Sequence, residues 1–97
     1  MRVTGPLIKV LSALLEAPDH ELYGLEVMRR SKLTSGTLYP IFDRLEEAGI
    51  IAGRWEDKAD SESGGPRRRF YRLTPHGAVE AHQILLEYGI NPRITLA

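Results

Sequence analysis

The chain has 97 residues, of which 42% are hydrophobic, so it can form one modest core and is too short for two domains of ordinary size. Cysteine is absent, which excludes disulfides, thiolate catalysis and the usual structural zinc sites. Thirteen basic and thirteen acidic residues give a formal net charge of zero, which is not the basic composition of many nucleic-acid-binding proteins.

The charges are nevertheless segregated along the chain. Residues 29–32 and 67–72 are basic clusters without an acid, whereas acidic residues predominate at positions 56–62. Such segregation permits one positive face on a neutral protein, although a single charge run is as often a solvated surface. The chain shows no signal-peptide pattern and no apolar run of about 18 residues, so we expect a soluble, cytoplasmic protein.

The first predicted helix has Thr4 as its cap and Pro6 in its first turn, and it ends near residues 17–18. Its apolar residues recur with helical spacing and are Leu7, Ile8, Val10, Leu11, Leu14 and Leu15. We expect this leucine-rich helix to pack in a core or against a second subunit rather than to line a ligand site.

A second short helix is predicted from apolar residues at Leu22, Leu25, Val27 and Met28, and Gly24 near its start leaves room for another backbone. Residues 31–34 then form a tight polar link to a third helix. Two short helices joined in this way, the second opening with small residues, have the order of a helix-turn-helix.

The third helix has an apolar face with helical spacing, formed by Leu38, Ile41, Phe42 and Leu45. Its polar face is free to dock on a partner. Thr34 or Ser35 can cap the first turn, whose small residues fit a major groove about 12 Å wide, and Gly49 ends the helix. Pro40 breaks the helix rules because it removes one backbone hydrogen bond, but the apolar spacing continues past it, so we predict an uninterrupted helix.

Two strands are predicted next, at residues 50–55 and 68–73, with a mobile wing at residues 56–67 between them. The wing is polar, contains Gly and Pro, and lacks an apolar rhythm. If the apolar residues of the second strand face the core, Arg69 shares their side of the strand and Arg68 lies on the opposite side.

The last helix is predicted to begin at Thr74 and Pro75 and to be closed by Gly89. Its apolar side comprises Ala78, Val79, Ala81, Ile84, Leu85 and Tyr88. The predicted fold is therefore mostly α with a small antiparallel β-hairpin, a winged helix-turn-helix. We expect a DNA-binding domain at residues 1–73 and a C-terminal helix with a short tail at residues 74–97, in one compact unit.

These residues carry a family resemblance. Residues 38–51 (LYPIFDRLEEAGII) closely resemble the recognition helix of PadR-family transcriptional regulators, and residues 35–37, residues 23–24 and residues 69–77 (RFYRLTPHG) are similar to that family's pattern. The resemblance covers roughly residues 5–88 and fits a short form of the family with a single C-terminal helix. Its Gly-Thr-Leu-Tyr-Pro core is specific, because a generic winged helix does not require proline there.

The resemblance implies a homodimeric repressor that binds a palindromic operator in double-stranded DNA and needs no cofactor. The implied DNA contacts, with the helix at the major groove and the wing at the minor groove, are Lys32, Ser35, Gly36, Thr37, Tyr39, Pro40, Arg44, Arg67, Arg68 and Arg69. The family dimerises through the helix after the wing, aided by the first helix. The implied dimerisation residues are Leu7, Leu11, Leu14, Val79, His82, Ile84, Leu85 and Tyr88.

Several residues have alternative interpretations. Tyr39 is either DNA-facing or a core aromatic, and Trp55 is either a stacking surface for a flat ligand or a packed strand residue. We do not expect a metal site at His76, Glu80 and His82, because only His76 and Glu80 share a helix face. No nucleophile, base and orienting acid stand in a recognised arrangement, so we do not expect an enzyme.

The alternative function is a winged-helix module that binds another protein, which the neutral net charge favours slightly. Such a module needs an exposed apolar patch on the third helix or the wing, where the sequence has small polar residues and arginines, so DNA binding is the preferred hypothesis. Release of DNA by a small-molecule effector between subunits stays open. The operator, the regulated genes and the choice between repression and activation are not encoded in any recognisable pattern.

Overall fold

The computed structural model describes residues 2–57 and 67–91, so most of the predicted mobile wing and tail lie outside the described residues. Four helices and three strands are present in these ranges. In chain order they are α1 (Gly5–Glu16), β1 (Glu21–Tyr23), α2 (Gly24–Ser31), α3 (Ser35–Glu47), β2 (Ile51–Trp55), β3 (Arg69–Leu73) and α4 (Pro75–Glu87), with a 3-10 turn at Pro18–His20 before β1. Within residues 2–57 and 67–91, no helix is both long and apolar enough to cross a membrane.

The sheet has one strand more than the predicted hairpin. The strands are antiparallel in the order β1-β3-β2, with Leu22 opposite Tyr71 and Gly53 opposite Tyr71 on its other side. The prediction placed Leu22 in the second helix, whereas α2 begins only at Gly24. The three residues of β1 are too few to show an alternating pattern, and pairing with a strand far along the chain decides their conformation.

The core lies between α1, the inner face of α3, one side of α4 and one face of the sheet. Its largest fully buried side chain is Phe42, whose ring stacks on that of Tyr71 with centroids 3.8 Å apart and an angle of 14° between the ring planes. All four apolar residues predicted for the inner face of α3 are buried, which confirms the helical spacing on which that prediction rested. The opposite face of α3 is consequently left to solvent.

Two threonines cap helices as predicted. The Leu7 N–H donates to Oγ1 of Thr4 at the start of α1, and the Gly77 N–H donates to Oγ1 of Thr74 at the start of α4 over 2.9 Å. In α3 the capping residue is Thr34, but its hydroxyl donates to the hydroxyl of Thr37 over 3.3 Å, and no side-chain bond caps the backbone. The first turn of α3 therefore keeps free backbone N–H groups.

The joint between α3 and α4 fixes their relative position. Gly49 ends α3 with a left-handed φ of 74°, and its carbonyl accepts a 2.7 Å hydrogen bond from the Thr74 hydroxyl. The Thr74 N–H donates to the Ile50 carbonyl over 3.0 Å. Gly77 lies against that same carbonyl so closely that a Cβ atom would overlap it. The φ angle of Gly77 is not left-handed, so its backbone conformation does not require glycine. The close approach of the Ile50 carbonyl does.

Candidate nucleic-acid interface

The first turn of α3 forms a thin, uncharged projection, which we call the α3 tip (Ser35, Gly36 and Thr37). All three residues are exposed, and no atom lies within 4 Å of the position that a Cβ atom would take on Gly36. The tip carries no acidic residue. Because the other face of α3 is anchored in the core, the tip is presented by a rigid element.

Pro40 lies inside α3, and the helix continues through it to Glu47, as the apolar spacing predicted. Proline has no N–H, so the carbonyl four residues earlier, that of Gly36, loses its helical donor. Gly36 is exposed, which leaves this acceptor accessible to water or to a partner. Pro40 therefore leaves one backbone acceptor of the α3 tip without its usual helical donor.

The link between α2 and α3 presents a cationic group beside the tip. Ser31 is buried, and its hydroxyl accepts the Leu33 N–H over 3.3 Å, which tightens the turn. Lys32 ends α2 in the left-handed conformation, with φ 59°, and its side chain is exposed. Arg29 and Arg30 in the last turn of α2 are exposed as well.

Tyr39 combines the two interpretations that the sequence left open. Its ring meets Phe42 edge-on at a centroid distance of 5.7 Å, yet 43% of the residue is exposed. Its hydroxyl lies 3.1 Å from the position that a Cβ atom on Gly24 would occupy. Gly24 thus leaves room for the Tyr39 side chain, whereas the sequence suggested that it leaves room for another backbone segment.

Arg68 and Arg69 at the base of the wing point to opposite sides of β3, as alternation predicted. The Arg68 guanidinium lies over the ring of Tyr23, 4.6 Å from its centroid, and the residue is exposed. Arg69 is half-buried on the core side, where its Nη2 lies 3.7 Å from Oε2 of Glu46. Burial raises the pKa of the Tyr71 hydroxyl, against the opposing effect of the adjacent Arg69 guanidinium.

The outer face of the sheet carries a stack that the sequence did not indicate. The rings of Tyr23 and Phe70 are 4.2 Å apart, and the Arg54 guanidinium covers Phe70 at 4.3 Å. Arg54 also donates two hydrogen bonds to the carboxylate of Glu21, of 3.0 and 3.1 Å. Tyr23 and Glu21 belong to β1, a strand that the sequence did not predict, so their contacts could not be predicted either. The contacts with Phe70 and Glu21 hold Arg54 in place, and Arg68 lies at the other end of the stack, over Tyr23.

A cleft of about 530 Å³ lies between α2, Tyr39 and the base of the wing. The residues that line it are Tyr23, Gly24, Leu25, Glu26, Arg29, Tyr39, Arg68 and Arg69. The carboxylate of Glu26 accepts the Tyr23 N–H over 3.2 Å at the start of α2. The lining has three arginines and one glutamate, and Arg69 is also paired with Glu46 outside the lining, so the cleft keeps a net positive charge. Of these eight lining residues, three were among the predicted site residues: Tyr39, Arg68 and Arg69.

The remaining predicted contacts are also at the surface. Arg44 and Arg67 are exposed, so the basic side chains predicted on α3 and at the end of the wing are accessible. Trp55 is exposed and is covered on one face by Arg69, 5.0 Å from the ring centroid, so it is not a packed core residue. In the part of the chain that the structure describes, no three residues among His, Asp and Glu are placed to hold a metal ion.

The residues predicted for dimerisation fall into two groups. Four of them are at most 1% exposed and lie in the core of the single chain: Leu7, Leu11, Leu14 and Leu85. Val79 and Tyr88 are 57% and 55% exposed, and His82 and Ile84 are half-buried. Leu86, which the prediction omitted, is 48% exposed. It lies two helical turns from Val79, a spacing that would have identified it once the buried side of α4 was known.

One family description, the transcriptional regulator PadR-like family, matches residues 10–83. The chain belongs to this family. The assignment confirms the resemblance carried by the α3 residues and by the strand β3, and it identifies the protein as a DNA-binding transcriptional regulator. PadR-family proteins are regulators rather than enzymes, in agreement with the expectation from the sequence.

Solved structures of similar proteins share the fold. A PadR-family transcriptional regulator from Eggerthella lenta is 26% identical, with a TM-score of 0.68 over 86% of this chain and 70% of the other. A transcriptional regulator from Clostridium thermocellum is 28% identical, with a TM-score of 0.63 over 88% and 84% of the two chains. The circadian clock associated protein Pex from Anabaena is 26% identical, with a TM-score of 0.63 over 87% and 76%. The winged-helix fold of the PadR family is therefore that of this chain.

Proposed function

We propose that this PadR-family protein is a homodimeric repressor that binds a palindromic operator through the α3 tips of its two subunits. The observation that carries the proposal is the exposed α3 tip, which is small, free of acidic residues and flanked by cations on both sides. Thr37 and the half-exposed Tyr39 are the side chains on this turn that can reach base edges, and Pro40 and Gly36 allow close approach of the backbone.

The flanking cations are placed to bind phosphates. Lys32 precedes the tip, Arg44 follows it along the exposed face of α3, and Arg67 and Arg68 lie at the base of the wing. Phosphate contacts fix the register of a protein on DNA and provide much of its affinity, whereas base contacts provide the sequence preference. The division predicts two classes of variant with different effects on binding.

Replacing Arg68 with alanine should weaken binding to the operator and to a scrambled duplex alike. Each phosphate contact contributes about 0.9 to the slope of log affinity against log salt, so a dimer that loses two contacts should lose about two. The measurement is a titration of a fluorescent duplex that carries the protein's own upstream region, at several salt concentrations. Arg54→Ala is the matched control, because it removes the same charge from a side chain that Glu21 already holds. An unchanged slope in Arg68→Ala would place the wing contacts elsewhere.

The second part of the proposal is that α4 forms the dimer contact. Its exposed apolar residues Val79, Leu86 and Tyr88, with His82 beside them, offer a surface that a second copy would bury. The buried leucines of α1 and Leu85 lie in the core of the single chain, so in this proposal they support α4 from behind. A two-fold axis through α4 would give two α3 tips and hence a palindromic site.

Val79→Glu should convert the dimer into a monomer, because two buried carboxylates would face each other across the axis. Light scattering coupled to size-exclusion chromatography gives the mass, and circular dichroism checks that the exposed substitution leaves the fold intact. Val79→Thr, which has the same shape and no charge, should stay largely dimeric. A Val79→Glu variant that remains a dimer would show that subunits meet through another surface.

A protein-binding winged helix is the second candidate, favoured by the exposed side chain of Leu25 in the positively charged cleft. Equal affinity of the wild-type protein for the upstream duplex and the scrambled duplex at low salt would support this candidate against the repressor. A small-molecule effector is compatible with the repressor, and it would lower operator affinity in the same titration without unfolding the protein.

A further inference from the structure

Arg69 has contacts that set it apart from its neighbours in the basic cluster. Its guanidinium lies 3.7 Å from the Glu46 carboxylate, 5.0 Å from the centroid of the Trp55 ring and 5.7 Å from that of Tyr71. Its side chain is about 30% exposed. The adjacent Arg68 has its guanidinium over Tyr23 on the other face of the sheet and is exposed. Two consecutive arginines therefore have different surroundings and need not have the same role.

The partners of Arg69 belong to the two elements that a winged helix places on DNA. Glu46 is in the last turn of α3, whose first turn is the α3 tip. Trp55 is the last residue of β2 and the register partner of Arg69 itself, so both strands of the wing meet at this point. Since a helix moves as a rigid body, a contact at Glu46 restricts the direction in which the α3 tip points relative to the wing.

Gly53 leaves the space that the Arg69 guanidinium occupies. It lies in β2 opposite Tyr71, and a Cβ atom there would come within 2.9 Å of Cζ of Arg69. The obstructing atoms belong to the far end of a flexible side chain, so alanine at this position would displace Arg69 and leave the backbone in place. The absence of a side chain at position 53 thus has a specific structural use.

We propose that Arg69 is a positioning residue that couples the wing to α3 and sets the angle between them, rather than a ligand of a DNA phosphate. The proposal rests on the proposed function, because the angle matters only if tip and wing engage one duplex. Arg69 then contributes to the preference for the operator over other sequences. Arg69 does not exchange a counterion for a phosphate when the protein binds DNA, because its guanidinium is already paired with Glu46.

The experiment compares Arg69→Ala and Gly53→Ala with Arg68→Ala, using the operator and scrambled duplexes over a series of salt concentrations. Arg69→Ala and Gly53→Ala should both lower the ratio of operator to scrambled affinity by about five-fold, the effect of losing one partly exposed ion pair in each of the two subunits, and both should keep the wild-type salt slope. Arg68→Ala should lower the slope and keep the ratio. Gly53→Ala is the sharper variant because it removes no charge.

Two results would overturn the proposal. A loss of salt slope in Arg69→Ala equal to that in Arg68→Ala would make Arg69 a phosphate ligand. A steeper slope and tighter binding in Gly53→Ala would mean that Arg69, once released from Glu46, binds DNA better than it does in the wild type. Either result would leave the proposed function standing, since the operator would still be preferred.

The contact itself can be measured without DNA, because Trp55 is the single tryptophan of the chain. Glu46→Gln and Gly53→Ala should both shift or intensify its emission as the guanidinium leaves the ring, whereas Arg68→Ala should not. Unchanged emission in both variants would refute the coupling. If the emission changes but the wild-type protein has no preference for the operator, the proposed function fails and the role of Arg69 in recognition fails with it, although the contact is real.

Discussion

Gly77→Ala should destabilise the protein more than any other single methyl addition at its described glycines. Alanine normally stabilises a helix by about 1 kcal/mol relative to glycine, but overpacking against rigid neighbours costs about 3 kcal/mol or more, so the clash decides the sign. The obstacle is the backbone carbonyl of Ile50, which also accepts a hydrogen bond from the Thr74 N–H. Neither partner can rotate away, and α4 must move as a whole.

Thermal unfolding followed by circular dichroism measures this effect. A domain of this size loses about 4–8 °C in melting temperature per kcal/mol, so a net cost of about 2 kcal/mol should lower the melting temperature by roughly 8–16 °C. Gly5→Ala is the matched control, because no atom lies within 4 Å of its added methyl group, and it should melt at or slightly above the wild-type temperature. A Gly77→Ala variant that melts with the wild type would contradict the close approach of α4 to Ile50.

Thr37→Glu should strongly weaken operator binding and leave the fold as stable as before or more so. Thr34 occupies the N-cap position of α3 and Thr37 is the third residue of the helix, so a glutamate at position 37 can accept the Thr34 N–H as in a capping box. Its charge near the helix N-terminus adds about 0.3–1 kcal/mol of stability. The helix α2 uses this arrangement, with Glu26 accepting the Tyr23 N–H. The α3 tip lacks it, which keeps a carboxylate away from the surface proposed to face DNA.

The expected loss of operator affinity in Thr37→Glu is at least about 30-fold, since one lost base contact costs about 1–3 kcal/mol and a dimer loses it twice. The duplex titration and a thermal melt on the same preparation separate recognition from stability. Thr37→Gln has nearly the same size without the charge, and it should retain more affinity than Thr37→Glu. Wild-type operator affinity in the glutamate variant would remove the α3 tip from the interface.

The helices α1, α3 and α4 could be predicted because their signals are local. Thr4 and Thr74 are followed by proline in the first turn, and the apolar residues of each helix recur with helical spacing. The start of α2 could not be predicted in the same way. Leu22 is apolar and fits the spacing of the helix that follows, but β3 pairs with it and holds it in a strand. Non-local pairing here overrides the local pattern.

For the candidate site, the sequence predicted which residues are exposed but not which residues they contact. The exposure of the α3 tip and the opposite directions of Arg68 and Arg69 follow from helical and strand periodicity. The partners of those arginines do not, because Tyr23 and Glu46 belong to other elements and meet them only in the folded chain. The same limit applies to α4, where periodicity alone placed buried Leu85 on one side with exposed Val79 and Tyr88.

The central position of β3 has a consequence for the order of folding. β3 is the last of the strands that the structure describes, yet it lies between β1 and β2 and provides every register pair of the sheet. A chain emerging from the ribosome therefore carries two unpaired strand edges until residue 73 has been released. A product truncated before Arg69 would expose those edges, together with the face of Phe42 that Tyr71 normally covers. Such a fragment would be a target for chaperones and proteases, so the surface proposed for DNA becomes available only on chains synthesised past the wing.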